Sequence, residues 1–277
     1  KEKNDINDIY HASLLQSIQI NIDFGNYEDS LKRLTTYKSI NKRTKAKKNY
    51  LLGDVFTYTK NIKKALEHLN ISKSIYENEN NQFQLNTINR RIGVAYMYIG
   101  NYEEGLSILN HAYDYFEKAS EPSRSADILG HIGAIHLAKG ELVKAYEYFD
   151  KQYTIATNID YKSCIQDALG NMANITNVKG NHTKALEMFK EIVVVEEDIN
   201  DKNALWHTYN NIGLSHKYMH NYKEAMENYN ISLEISNGIG DLGGIALANM
   251  NVGLIYHKTN DYNKALEHYK KSSKIAI

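Results

Sequence analysis

The residues that could do chemistry in this chain are few, and their spacing decides what that chemistry would be. His216 and His220 stand four apart, a spacing at which two imidazoles on one helix face can share a zinc ion. Cys164 is the single thiol, so the chain holds no internal disulfide, and it has no companion at a motif spacing. No HExxH segment, glycine-rich phosphate loop or GxSxG turn occurs. What remains is the chemistry of polar recognition. Arg90 and Arg91 are adjacent guanidiniums that could hold a carboxylate bidentately. Asn171, Asn211 and Asn251 follow one another at intervals of 40 residues, and each carboxamide offers an acceptor and two donors. Asn174 and Asn210 belong to the same stretch. The reading is therefore of a non-enzyme, with no catalytic, cofactor or metal site.

The elements that must position these residues come from an internal repeat, the first thing to seek in any sequence. A small residue recurs at Gly53, Gly93, Gly133, Ala173, Gly213 and Gly253, each step being 40 residues. Twelve residues after each stand Ala65, Gly105, Ala145, Ala185, Ala225 and Ala265. Four further on come Leu69, Leu109, Phe149, Phe189, Tyr229 and Tyr269. His216 occupies the mark held by Tyr96 and Tyr256 in other units, so it reads as packing. Turns such as Gly100-Asn101-Tyr102 and Asn260-Asp261-Tyr262 split each unit into two stretches with helical apolar spacing. A weaker seventh unit precedes the six, with its turn at Gly25-Asn26-Tyr27 followed by Ser30 and Leu34. Each unit reads as a helical hairpin whose small residues allow close approach and whose apolar side requires a stacked neighbour.

Composition agrees. One proline in 277 residues suits uninterrupted helices. The longest aliphatic run, Ile192 to Val195, falls far short of the roughly 20 apolar residues that span a bilayer. Basic and acidic side chains balance at 33 each, which argues against a nucleic-acid partner. A local basic run, Lys42-Arg43 with Lys45, Lys47 and Lys48, reads as a solvated helix end, with a phosphate contact as the alternative. The chain begins at Lys1 without a methionine, and a piece of a longer protein is expected. The location expected is cytoplasmic, or periplasmic if a signal segment was removed.

At these marks the sequence resembles the tetratricopeptide-repeat (TPR) family, as Tyr209, Ile212, Gly213, His216, Ala225, Tyr229 and Ser232 illustrate. The 40-residue unit resembles the longer repeats of spindle-orientation adaptors and kinesin light chains. The stretch Ile239 to Ala246 resembles the linker of bacterial TPR sensors, which often precede a histidine kinase, a nucleotide cyclase or a DNA-binding domain. The resemblance implies an all-α, right-handed TPR superhelix (an α-solenoid) of about seven hairpins. One solenoid over 1–277 is expected, with repeats near 10–45, 46–85, 86–125, 126–165, 166–205, 206–245 and 246–277.

The resemblance also implies that the first helix of each hairpin lines a concave groove. Residues two before and one after the small mark would then face a ligand. A partner-binding face follows: Arg90, Arg91, His131, Asn171, Asn174, Asn210, Asn211 and Asn251. Asn171, Asn211 and Asn251 would form a ladder for the backbone of a peptide; the alternative is the chain's general richness in asparagine. The acidic-tail clamp of TPR co-chaperones is not matched, since Asp54 or Val94 stands where its first asparagine is needed. The function expected is a scaffold for a protein or peptide segment; the alternative is the sensory arm of a signalling protein. Leu266, Tyr269 and Ile275 are expected to leave an apolar strip through which copies could pair end to end as a homodimer.

Overall fold

The computed structural model describes residues 2–275, with side chains from residue 9 onward. Among these residues every regular element is a helix. The first hairpin joins α1 (Glu2–Asp23) to α2 (Tyr27–Thr36). The next two pair α3 (Lys42–Tyr58) with α4 (Ile62–Asn78) and α5 (Gln82–Tyr98) with α6 (Tyr102–Lys118); α7 (Pro122–Ala138) and α8 (Leu142–Asn158) follow in the chain. The last three pair α9 (Lys162–Val178) with α10 (His182–Asp198), α11 (Lys202–Tyr218) with α12 (Tyr222–Ile239), and α13 (Leu242–Lys258) with α14 (Tyr262–Ile275). The chain forms two compact units, residues 1–139 and 140–277.

The connectors explain this regularity. From α3 onward a left-handed residue stands every 20 positions, from Lys60, Asn80 and Gly100 through to Asn260. Around it the N–H groups of the next residue and of the left-handed residue itself return to the helix. Asn61 N donates to Phe56 O, and Lys60 N to Thr57 O. The same pair of bonds recurs at Asn81–Tyr76, Tyr161–Ala156 and Asp241–Ser236. This is the Schellman arrangement, which satisfies carbonyls left over at a helix end. The residue after it can cap the next helix: Asn81, Asp201 and Asp241 accept from N–H groups three positions on; Asn41 caps α3 in the same way without a left-handed residue before it. Pro122 sits in the first turn of α7, where its missing N–H costs nothing. The breaks between units are therefore the same three-residue device as the turns within them.

Hairpin packing depends on the small marks. A Cβ added at Gly93 would lie 2.6 Å from Leu109, and one at Gly213 would lie 2.7 Å from the ring of Tyr229. The large residue four after the second small mark thus fills the space over the first mark of its own hairpin. Ser72 Oγ donates to Ala46 O across α3 and α4, and Ser232 Oγ to Trp206 O across α11 and α12. Within each unit successive first helices touch: α3, α5 and α7 in one, α9, α11 and α13 in the other. Within each unit the second helices touch only the first helices next to them. The first helices therefore form the inner layer of each unit.

A Cβ at Gly253 would lie 2.8 Å from the ring of Tyr269, so Tyr269 is the packing residue of the last hairpin. Leu266 is exposed at 54%, and Tyr269 and Ile275 are half-buried. No helix among them is long and apolar enough to cross a membrane.

Candidate functional site

Residues 140–277 place three of the expected asparagines around one groove. Asn171 and Asn174 from α9 and Asn211 from α11 line a space of about 240 Å³, closed behind by Phe189 and Ile192 of α10. Asn174 is exposed and Asn171 and Asn211 are half-buried. Asn171 Nδ2 donates to Asp167 O one turn back, which leaves its carboxamide oxygen for another partner. Asn251 lies deeper: its Nδ2 donates to Asn210 Oδ1 at 2.7 Å, and both residues are 7% exposed. This bond links α11 to α13 and gives the Asn251 amide group a partner inside the protein.

The floor of this groove holds a residue that the sequence reading missed. Glu196 of α10 is 2% exposed. Its Oε1 accepts from Thr208 Oγ1 at 2.8 Å and from Gln166 Nε2 at 3.1 Å. Its Oε2 receives no hydrogen bond from the protein. Burial pushes the carboxyl up to about 7; the bonds from Thr208 and Gln166 pull it down, and Asp201 adds to the rise. The signal for this site was a break in the repeat. Where Glu196 stands, other units carry Tyr76, Phe116, Ala156 and Ser236. Thr208 replaces Ile88, Ile128, Ala168 and Ala248, and Gln166 replaces Ala46, Ala126 and Ala246. Glu196 and two polar residues at positions that are apolar or small in most other units thus meet at one point.

Residues 1–139 hold the expected basic residues, and these have internal partners. Arg91 Nε lies 2.9 Å from Asp54 Oδ1, and Arg90 Nη1 lies 3.1 Å from Asp127 Oδ2. Arg91 also donates to the Tyr50 hydroxyl at 3.4 Å. Asp54 is 1% exposed; burial raises its carboxyl, and Arg91, Arg90 and Lys47 pull it back. His131, half-buried on α7, is pushed down to about 3 by burial and by the charges of Arg90 and Arg91. It is therefore a neutral imidazole at physiological pH. The arginine pair spans three successive first helices as an internal charge network. A cleft of about 880 Å³ in the same unit runs beside α1, α3 and the link ahead of α5, with Lys42, Arg43 and Lys47 of the basic run along it.

The zinc spacing is not realised on a helix. His220 is the left-handed residue after α11 and bonds to the Tyr222 hydroxyl, while His216 remains within α11. Cys164 is buried and accepts from Gln152 Nε2 at 3.2 Å.

These helical hairpins, stacked on small marks 40 residues apart, define a repeat protein. Residues 203–277 match the family model described as "Tetratricopeptide repeat", and the earlier units carry the same marks in the same register. The family match itself is confined to residues 203–277. No curated protein matches it by sequence. Among solved structures it is similar to apo RapI, at 14% identity and TM-score 0.77, over 96% of this chain and 76% of that one. It is also similar to a Rap protein complexed with competence and sporulation factor, at 13% identity and TM-score 0.73, over 97% and 86% of the two chains. A third is a signal-transduction ATPase with a tetratricopeptide repeat sensor from Pyrococcus horikoshii, at 15% identity and TM-score 0.75, over 95% of this chain and 42% of that one. At these identities the likeness is one of fold.

Proposed function

We propose that the chain is a non-enzymatic peptide-binding scaffold whose groove between α9, α10 and α11 holds an extended segment of a partner. The observation that carries this reading is the convergence of Asn171, Asn174 and Asn211 on one groove with an apolar back. Carboxamides can donate to and accept from a peptide backbone without selecting a sequence, and the apolar wall would take alternate side chains. Two similar folds support it, the Rap protein complexed with competence and sporulation factor and NprR in complex with its cognate peptide NprX. Within residues 1–139, Arg90, Arg91 and His131 are the corresponding candidates, where a ligand carboxylate would compete with Asp127 and Asp54 for the two arginines. A cytoplasmic location fits this role.

The test is selection of binders from a randomised dodecapeptide library, followed by fluorescence anisotropy with the peptides recovered. Replacing Asn171, Asn174 and Asn211 together by alanine should weaken binding at least tenfold, since each lost hydrogen bond contributes about 0.5–1.5 kcal/mol. Undiminished affinity in that variant would mean that the asparagines are only composition. A second reading, the sensory arm of a signalling protein, is favoured by the likeness to the repeat sensor of the signal-transduction ATPase. It uses the same groove and adds an output domain.

A further inference from the structure

We propose that Glu196 is the anchor for a cationic group, a lysine or N-terminal ammonium or an arginine guanidinium, on the peptide held in the groove of residues 140–277. This deepens the peptide-binding reading and rests on it. A carboxylate at this depth is costly unless paired and fully hydrogen-bonded. Glu196 satisfies one oxygen through Thr208 and Gln166 and leaves Oε2 without a bond from the protein. The repeat shows that the fold does not need it, since the same position is met by Tyr76, Phe116, Ala156 or Ser236 elsewhere.

The support for Glu196 is equally departed from the repeat. Thr208 and Gln166 occupy positions that are apolar or small in most other units, and both bond the same oxygen. This fixes the carboxylate in one orientation, with the second oxygen left over. Charge in the groove points the same way. Its lining includes the acidic Asp167 as well as Glu196 and contains neither lysine nor arginine. Its one imidazole, His207, lies against the Trp206 ring and is lowered by burial, so it does not supply the missing charge. An ammonium or guanidinium would meet the carboxylate in a water-poor site, where a charge-assisted hydrogen bond is strong. The asparagines above would hold the adjoining peptide backbone.

Two measurements test this together. In the first, the chain carrying 13C-labelled glutamate is titrated with N-acetylarginine methylamide and with N-acetylnorleucine methylamide. Glu196 is assigned by its absence in Glu196→Gln. The arginine probe should move the Glu196 carboxyl signal saturably, and the norleucine probe should not. In the second, two pools of N-acetylated, C-amidated peptides are compared, identical except for arginine or norleucine at one position. The wild-type chain should prefer the arginine pool about tenfold or more, and the Glu196→Gln chain should bind both pools alike. A saturable Glu196 shift with no retention of either pool would uphold the anchor and overturn the peptide groove. Retention of both pools without preference, with no Glu196 shift, would uphold the groove and overturn the anchor. A preference that survives in Glu196→Gln would also overturn it.

Discussion

At the scale of single residues, Glu196 makes a prediction that needs no ligand. Its carboxyl sits near 7 in the folded chain against an ordinary 4.5. Below about 4.5 it is protonated in folded and unfolded chains alike and costs nothing. Between there and about 7 the folded chain keeps a proton that the unfolded chain has lost, so rising pH lowers stability. Above about 7 the cost is complete. The neutral Glu196→Gln chain should match the wild type in thermal stability near pH 4.5 and exceed it increasingly up to about pH 7. With the groove's solvent allowed for, the gain should be on the order of 1–2 kcal/mol. Paired thermal melts across this range check it, and a difference that does not vary with pH would contradict the assignment. The same residue shows what the sequence concealed. Asn171, Asn174 and Asn211 were legible because TPR geometry nominates their positions. Glu196 lies on a second helix, outside those positions, and only comparison between units exposes it. Arg90 and Arg91 were legible as a carboxylate-seeking pair, but the sequence could not show that Asp127 and Asp54, from neighbouring units, supply the carboxylates.

At the scale of the element, the hairpin depends on one contact, seen at Gly53, Gly93, Gly213 and Gly253. Gly213 lies under the Tyr229 ring and beside Ala225 O, with no room for a side chain. Gly213→Leu should therefore destabilise the chain by about 1–3 kcal/mol or more. Gly170, in α9, has open space within 4 Å of the point where a Cβ would stand. Gly170→Ala should instead stabilise by about 0.5–1 kcal/mol through helix propensity. Urea unfolding of both variants tests the contrast; equal effects would mean the small marks do not set the hairpin spacing. The marks and the glycine turns were readable, because each is repeated and each needs a particular residue type. The full set of connectors was less so. Lys60, Ser120 and Asp160 adopt the left-handed conformation as Gly100 and Gly140 do. Their return hydrogen bonds impose it where the residue type does not. The first helices from α3 onward begin at Lys42, Gln82, Pro122, Lys162, Lys202 and Leu242, again 40 residues apart.

At the scale of the whole molecule, the fold was legible because it is stated many times over. Each hairpin repeats the same marks, and stability in such a stack is a sum of units and their neighbouring contacts. Function has no such redundancy. It must come from positions where units differ, and one inner-layer position reads Leu51, Arg91, His131, Asn171, Asn211 and Asn251 along the chain. We propose that a peptide lies in the asparagine groove over Glu196. The most direct measurement is an NMR titration of the 15N-labelled chain with a library-selected peptide, following the side-chain amide signals. Saturable shifts are expected at Asn171, Asn174 and Asn211. Asn49 and Asn249, which bond His68 and His268 elsewhere in the stack, should stay still. Shifts confined to residues outside the groove, with those three asparagines unmoved, would contradict it.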